Sequence, residues 1–423
     1  MTPPPIRVAI ACQGGGSHTA FTAGVLSRLL GSPELAGREV VGISGTSGGA
    51  ICATVAWAAL RDGRRHEAGA RLKAFWADNS ARWPLDRLLN ATMVSTALWQ
   101  SLGLLPTVSP YLIPRWIDGT GAFRRLLRRH IDFDALGVDR DGVEPMLALG
   151  AVDVVSGRFR AFCNRRERIT ADMVLASAAI PQLFKAVRID DGVYWDGLFS
   201  QNPPTADLLE AAPDELWVIQ INPSESREPR SLLDISDRRN ELAGNISLYQ
   251  ELNSIERVDQ LLESGALSPG AGYKKVTVRV IELSRSVLPR WLGSASKTDR
   301  SPRFLDRLIA HGEERADRFL AALRFEQAWR DGDLGAVGSM FTDDAELVSS
   351  YPFPRSSTDL RGYVARWFDG PITIDSNRKQ IAGDEVTWTV QLPAGDDRPV
   401  TYGRAVATFD GDRVSALHLG PMA

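Results

Sequence analysis

The chain has 423 residues with 49 basic and 52 acidic side chains, a formal net charge of −3, and enough length for two domains. This near balance excludes a general attraction to nucleic acid or to an anionic membrane, so any lipid contact has to be local. Three cysteines, Cys12, Cys52 and Cys163, lie in apolar segments and are expected to be reduced and buried. The N-terminus has no cationic segment followed by a long apolar run, which favours a cytoplasmic location.

The first fifty residues predict a strand, a glycine loop, a helix, a second strand and a serine turn. The strands are Val8–Cys12 and 40–44, and apolar residues at helical spacing predict the helix over 17–30. Gly45-Thr46-Ser47-Gly48-Gly49 has the Gly-x-Ser-x-Gly pattern of a tight strand-to-helix turn. Ser47 is therefore the expected nucleophile, and Gly45, Gly48 and Gly49 are the small residues that such a turn requires.

The glycine loop, Gly14-Gly15-Gly16, is expected to supply backbone N–H groups to an oxyanion. A dinucleotide site is the alternative for such a loop, but the segment lacks the Gly-x-Gly-x-x-Gly spacing and its later acid. His18 follows the loop and could line the site, although packing or hydrogen bonding is the commoner role for a histidine there.

No residue between Leu88 and Pro114 is charged. Prolines and polar residues interrupt this stretch, which argues against a membrane span. Two interpretations remain open: a mobile cap that lines an acyl-chain pocket or touches a bilayer, and an irregular piece of core.

Further strands are predicted near 145–152, 157–162 and 217–222. A hairpin turning at Asp191-Gly192 would place Asp196 at the end of its second strand. Beyond it, 239–262 is predicted as helix and 275–283 as strand.

The motifs taken together resemble the patatin-like phospholipase family, over residues of about 5–320. They are Gly14-Gly15-Gly16, the serine turn, Ala176 to Phe184, and Trp195-Asp196-Gly197 with Asn202-Pro203-Pro204. The resemblance implies an α/β fold, an α/β/α sandwich with a central, mostly parallel sheet. It also implies a serine acyl-ester hydrolase of the phospholipase A type that forms an acyl-enzyme without metal or cofactor.

By the same resemblance, Ser47 is the nucleophile, Asp196 its catalytic partner, and the amides of Gly14, Gly15 and Gly16 form the oxyanion hole. The chain departs from the family pattern around these residues. Gln13 replaces the acid often found before the glycines, Ser17 or His18 replaces the basic residue after them, and Leu198 replaces a small residue.

Residues 323–423 are predicted to form a second domain after the hydrolase domain at 1–322. Alternating strands at 386–390 and 404–409 and a turn at Asp410-Gly411-Asp412 indicate an antiparallel sheet with helices. The segment from Trp329 to Ala345 resembles the SnoaL-like (polyketide-cyclase-like) α+β cone. Such cones enclose a pocket, which Tyr351, Trp388 and His418 could line, although aromatic residues on such a sheet are usually core.

Two other functions compete with the Ser47–Asp196 hydrolase. One is an α/β-hydrolase triad, which would need a histidine such as His311. The other is a non-catalytic lipid- or small-molecule-binding protein in which the C-terminal cone carries the function. The expected partners are a lipid or acyl-ester substrate, a transient membrane surface touching 88–114, and a second copy through the C-terminal domain; nucleic acid is not expected.

Overall fold

The computed structural model of the protein describes residues 4–102, 104–106, 109–112, 119–181, 183–268, 272–283, 293–350, 378–382, 385–392 and 401–421. The chain divides into two compact units. Unit 1 comprises residues 1–276 and 283–313, and unit 2 comprises 277–282 and 314–423. The predicted boundary at 322/323 stays a prediction.

Unit 1 is built on a sheet with the strand order β5-β6-β3-β2-β1-β7, and β4 pairs with β3. Strands β7, β1, β2 and β3 are parallel, whereas β4, β5 and β6 pair antiparallel. The predicted α/β fold with a mostly parallel sheet is confirmed. The strands are β1 (Ile6–Cys12), β2 (Arg38–Gly45), β3 (Met146–Asp153), β4 (Phe159–Cys163), β5 (Val187–Ile189), β6 (Gly192–Asp196) and β7 (Glu215–Gln220).

The helices of unit 1 are α1 (Ala20–Gly31), α2 (Gly48–Arg61), α3 (Ala68–Asn79), α4 (Pro84–Ser101), α5 (Thr120–His130), α6 (Ala171–Ser177) and α7 (Leu232–Glu263). They include the two predicted over 17–30 and 239–262, as α1 and α7. Helix α8 (Pro302–Arg330) belongs to unit 1 up to residue 313. Short 3-10 turns lie at Gly16–Thr19 and Ser294–Thr298.

The core of unit 1 lies along β1, β3 and β7, whose apolar residues are almost entirely buried. Buried parallel strands read as continuous apolar runs, so the sequence predicted them. The three cysteines are buried free thiols, as expected.

The parallel topology brings two loops to one edge of the sheet. Cys12 at the end of β1 is level with Gly45 at the end of β2. The glycine loop and the serine turn therefore leave the sheet side by side. Strand β7 lies on the opposite side of β1 from β2, so the chain order reverses here, and such a crevice is where open α/β sheets bind ligands.

Helix α4 was not predicted, because the prolines and polar residues of 88–114 suggested an irregular segment. Only Asn90 of its 18 residues is buried. The amide of Asn90 donates to Asp299 (2.9 Å) and its oxygen accepts the N–H of Arg300 (2.8 Å). The surrounding apolar side chains are exposed, among them Trp83, Leu85, Leu88, Leu89, Met93, Trp99, Leu104 and Leu112. Within the described ranges no helix is long and apolar enough to cross a bilayer.

Unit 2 is an α+β unit, as predicted. Strand β8 (Thr277–Glu282) pairs parallel with β10 (Arg378–Ala382), and β10, β11 (Glu385–Leu392), β12 (Thr401–Asp410) and β13 (Arg413–Pro421) are antiparallel. Strand β9 (Phe341–Ser349) pairs parallel with β13, and the short helix α9 (Leu334–Ser339) precedes it. Trp388 stacks near Phe325, with centroids 5.6 Å apart.

Candidate active site

Ser47 stands on the turn that joins β2 to α2, with φ 58° and ψ −129°. A positive φ is strained for a residue with a Cβ, and such strain concentrates at functional sites. Its N–H is held by Ser177 at the end of α6, donating to the backbone oxygen (3.0 Å) and to Oγ (3.2 Å). The Ser177 hydroxyl donates in turn to Gly150 of β3 (2.7 Å), so the turn is fixed to the neighbouring strand.

The glycines of the turn allow the close approach of backbone. A Cβ on Gly48 would lie 2.6 Å from the carbonyl oxygen of Gly16, and one on Gly49 would lie 2.7 Å from that of Gln13. A Cβ on Gly45 would lie 2.6 Å from the nitrogen of Ala50. Gly48 and Gly49 therefore bring the start of α2 against the glycine loop, a packing role that the sequence did not reveal.

Asp196 ends β6, paired with Ala151 of β3, and is completely buried. The predicted hairpin that delivers it is present as β5 and β6. One oxygen, Oδ1, accepts the N–H of Leu198 (2.8 Å). The other, Oδ2, accepts no well-aligned hydrogen bond from the described residues.

Burial raises the pKa of Asp196 from 3.8 to about 7. The N–H of Leu198, the hydroxyl of Ser47 and the positive charge of Lys297 oppose part of this rise in pKa. The structure thus brings the two predicted residues together, although the Ser47 hydroxyl is not aligned as a hydrogen-bond donor to Oδ2. Catalytic hydrogen bonds are often loose before substrate binds.

The sequence predicts that the N–H groups of all three loop glycines face an oxyanion, but that of Gly14 has another partner. The N–H of Gly14 already donates to Oδ1 of Asn202 (2.7 Å). The N–H groups of Gly15 and Gly16 make no hydrogen bond among the described residues, and Gly16 opens a 3-10 turn with φ 59°. The two amides available for an oxyanion are therefore those of Gly15 and Gly16.

The contacts of Gln13 require an amide at this position. Its oxygen accepts the N–H groups of Ile221 and Asn222 (both 2.8 Å). Its Nε2 donates to the carbonyl of Gly244 (3.1 Å) and to Oδ1 of Asn245 (2.9 Å). A carboxylate has no donor and could not make the last two bonds.

Lys297 is a site residue that the sequence did not reveal. It lies in the 294–298 turn, whose backbone packs against Gly16, and its ammonium donates to Oδ1 of Asn222 (2.9 Å). Lys297 is far from the glycine loop in sequence, so no local sequence pattern predicts that it lies near the site. Its positive charge favours the ionised form of Asp196 and so lowers the pKa of that carboxyl, against the larger effect of burial.

Of the other candidate side chains, His18 lies beside the 294–298 turn that carries Lys297. His18 is buried with Nε2 2.7 Å from the hydroxyl of Ser296, and His311 packs its ring against Phe21 (5.6 Å between centroids). In unit 2, two of the residues expected to line a pocket differ in burial: Trp388 is buried and His418 is exposed. Tyr351 lies outside the described residues.

No curated protein matches the chain. Solved structures similar to part of it include an NTF2-like protein of unknown function from Cytophaga hutchinsonii, with 9% identity, 24% of this chain and 87% of that chain covered, and a TM-score of 0.21. Another NTF2-like protein, from Mesorhizobium loti, has 12% identity, covers 25% and 92%, and has a TM-score of 0.22.

A family model described as patatin-like phospholipase matches residues 10–209. This range contains the glycine loop, the serine turn, Asp196 and Asn202. Residues 10–209 therefore form a patatin-like phospholipase domain.

Proposed function

We propose that the protein is a serine acyl-ester hydrolase that acts on lipids through Ser47 and Asp196. The observation that carries this proposal is a buried carboxyl with a pKa of about 7 beside a hydroxyl on a strained turn. A base is most effective when its pKa lies near the working pH, and an ordinary aspartate is far too weak. Burial of Asp196 removes that objection without a histidine.

The reaction proceeds in two acyl transfers. Asp196 accepts the proton of Ser47 while Oγ attacks the ester carbonyl carbon, and the carbonyl electron pair moves onto oxygen. The intermediate collapses, the carbon–oxygen bond to the alcohol breaks, and the alcohol leaves with the proton from Asp196. Water then attacks the acyl-enzyme in the same way, which releases the fatty acid and returns the proton to Ser47.

The amides of Gly15 and Gly16 stabilise the oxyanion in both steps. They are adjacent to a residue in contact with the nucleophile, since a Cβ on Gly14 would lie 2.9 Å from that of Ser47. The N-terminus of α2 adds a favourable dipole at the same place. Such preorganised donors commonly contribute the largest part of the rate enhancement.

A direct test compares wild type with Ser47→Ala and Asp196→Asn on p-nitrophenyl esters and phospholipids. We expect hydrolysis, and labelling by a fluorophosphonate, only where Ser47 is present. Ser80→Ala is the matched control, because Ser80 is buried to a similar degree, 7% exposed against 6% for Ser47. Activity that survives Ser47→Ala would refute the assignment. Lipid binding without labelling would favour the non-catalytic alternative.

Helix α4 is proposed to contact the lipid surface that holds the substrate. Its apolar side chains are exposed, and Asp299 and Arg300, which hold its Asn90, directly follow the turn that packs against Gly16. Residues 88–101 of the helix carry no charge, so this surface should bind neutral phosphatidylcholine vesicles with little dependence on salt.

Leu88→Asp should weaken flotation with those vesicles. Val143→Asp, at a residue 86% exposed outside the helix, should not. Equal effects of the two changes would contradict the proposed surface. A homodimer through residues 323–423 stays a prediction that sedimentation would test.

A further inference from the structure

The carbonyl oxygen of Gly244, in the middle of α7, accepts two side-chain amides from the active-site edge of the sheet. Nε2 of Gln13 and Nδ2 of Asn202 both donate to it, each at 3.1 Å. Both side chains are completely buried. They come from opposite ends of the domain's sequence and meet at one atom of the helix.

Asn202 makes a second bond with its other end. Its Oδ1 accepts the N–H of Gly14 at 2.7 Å, so its amide group bridges the glycine loop and α7. Its backbone N–H donates to Oγ of Ser247, one turn further along the same helix (3.0 Å). The side chain is therefore fixed at both polar atoms, and its backbone is fixed as well.

We infer that Asn202 is a positioning residue that sets the orientation of the glycine loop, and that α7 is the anchor against which it does so. This inference rests on the proposed function. By holding the N–H of Gly14 away from the substrate, Asn202 fixes the peptide plane that leads into Gly15. The next two amides are then aimed before the oxyanion forms, which is what preorganisation requires.

The chemistry of this position favours asparagine. The loop offers a donor and the helix offers an acceptor, and a primary amide satisfies both from one planar group. Hydrocarbon satisfies neither, and it would leave the N–H of Gly14 buried without a partner, which is unfavourable. That cost can be relieved by rotation of the peptide, which would misdirect the amides of Gly15 and Gly16.

The lack of a side chain on Gly244 supports the close packing around the anchor. A Cβ there would lie 2.6 Å from Nδ2 of Asn222. Asn222 in turn receives the ammonium of Lys297, so the packing extends to the residues beside Asp196. The side-chain hydrogen bonds of Asn202 and Gln13 described above join neutral groups that are buried, where such bonds are strong.

The test uses Asn202→Leu in the full chain, with Asn164→Leu as the matched control. Asn164 is also completely buried, accepts a backbone N–H (Leu147, 2.8 Å) and donates to a backbone carbonyl (Pro145, 3.2 Å). Neither partner belongs to the glycine loop. Each change therefore removes one hydrogen bond accepted from a backbone N–H and one donated to a backbone carbonyl. Only Asn202→Leu removes the contact with the glycine loop.

The measurement is the rate on a p-nitrophenyl ester and on its thiono analogue, in which sulfur replaces the carbonyl oxygen. Sulfur accepts weaker hydrogen bonds, so the oxo-to-thiono rate ratio reports on the oxyanion donors. We expect Asn202→Leu to lower kcat on the oxo ester about 10- to 100-fold with little change in KM, and to lower the ratio several-fold. Asn164→Leu should leave the ratio unchanged.

A purely structural role would reduce the amount of active enzyme and lower both rates equally. An equal fall, or no fall, in Asn202→Leu therefore overturns the inference. If that variant does not fold, Ser247→Ala decides, because it removes only the hydroxyl that receives the backbone N–H of Asn202. It should lower the oxo-to-thiono ratio in the same direction, and an unchanged ratio overturns the inference.

These outcomes are separate from failure of the proposed function. A wild type without Ser47-dependent hydrolysis overturns both the proposed function and the inference. A wild type with such hydrolysis, and an Asn202→Leu variant with the wild-type ratio, overturns the inference alone.

Discussion

The raised pKa of Asp196, which makes it an effective base, should also make the protein less stable as pH rises. Its pKa is 3.8 as a free side chain and about 7 in the folded protein. Between these values the folded state keeps a proton that the unfolded chain has lost, so the free energy of unfolding falls with increasing pH. Above pH 7 the carboxyl is ionised in both states and the folded state carries the full penalty.

The shift corresponds to about 4 kcal/mol at high pH, taking about 1.4 kcal/mol per pKa unit. About 3 kcal/mol of this penalty develops between pH 5 and pH 8. Asp196→Asn removes the ionisation and keeps an acceptor for the N–H of Leu198. Relative to wild type, the variant should therefore gain stability as pH rises, while its esterase activity is lost at every pH.

The assay is urea unfolding of wild type and Asp196→Asn at pH 5 and at pH 8, with the stability difference compared between the two pH values. Any constant effect of the substitution cancels in this comparison. Asp153→Asn is the control of opposite sign, because the N–H groups of Val155 and Ser156 lower the pKa of that carboxyl. A stability difference for Asp196→Asn that does not change with pH would show that Asp196 titrates normally and is no better a base than any surface aspartate.

The remaining predictions concern other groups. The pH profile of kcat/KM in wild type should rise with a midpoint of about 7 as Asp196 loses its proton, and a midpoint near 4 would contradict its burial. A chromogenic disulfide reagent should titrate no thiol in the native protein and all three after denaturation, since burial raises the pKa of Cys12, Cys52 and Cys163. Arg279→Met, which breaks the buried pair with Glu326 (2.8 Å), should destabilise unit 2 by about 3 kcal/mol in calorimetry; the exposed Arg404→Met should change little.

The sequence predicted those parts of the site that are formed by residues close together in the chain. Apolar runs ending in glycine placed β1, β2 and their loops, because buried parallel strands and tight turns leave a direct residue signature. Asp196 was found by its hairpin and by the family resemblance. The dyad was thus predictable, although its catalytic role remains a prediction.

The missing parts are those set by contacts distant in sequence. Asn202 meets Gly14 across 188 residues, and Ser177 meets Ser47 across 130. The family motifs contain Asn202 and Ser177, but no local pattern shows which residue each of them contacts, and none marks Lys297. Helix α4 was missed for a different reason: the prolines and polar residues of 88–114 suggested an irregular segment.

The backbone of Ser47 has a consequence for laboratory evolution. With φ at 58°, the residue is strained, and glycine at this position would relax it at a gain of about 1 kcal/mol. Libraries of this gene screened only for heat resistance should therefore enrich inactive clones, with Ser47→Gly among the first. A thermostable lineage that still turns over substrate has to be selected for both properties in the same round.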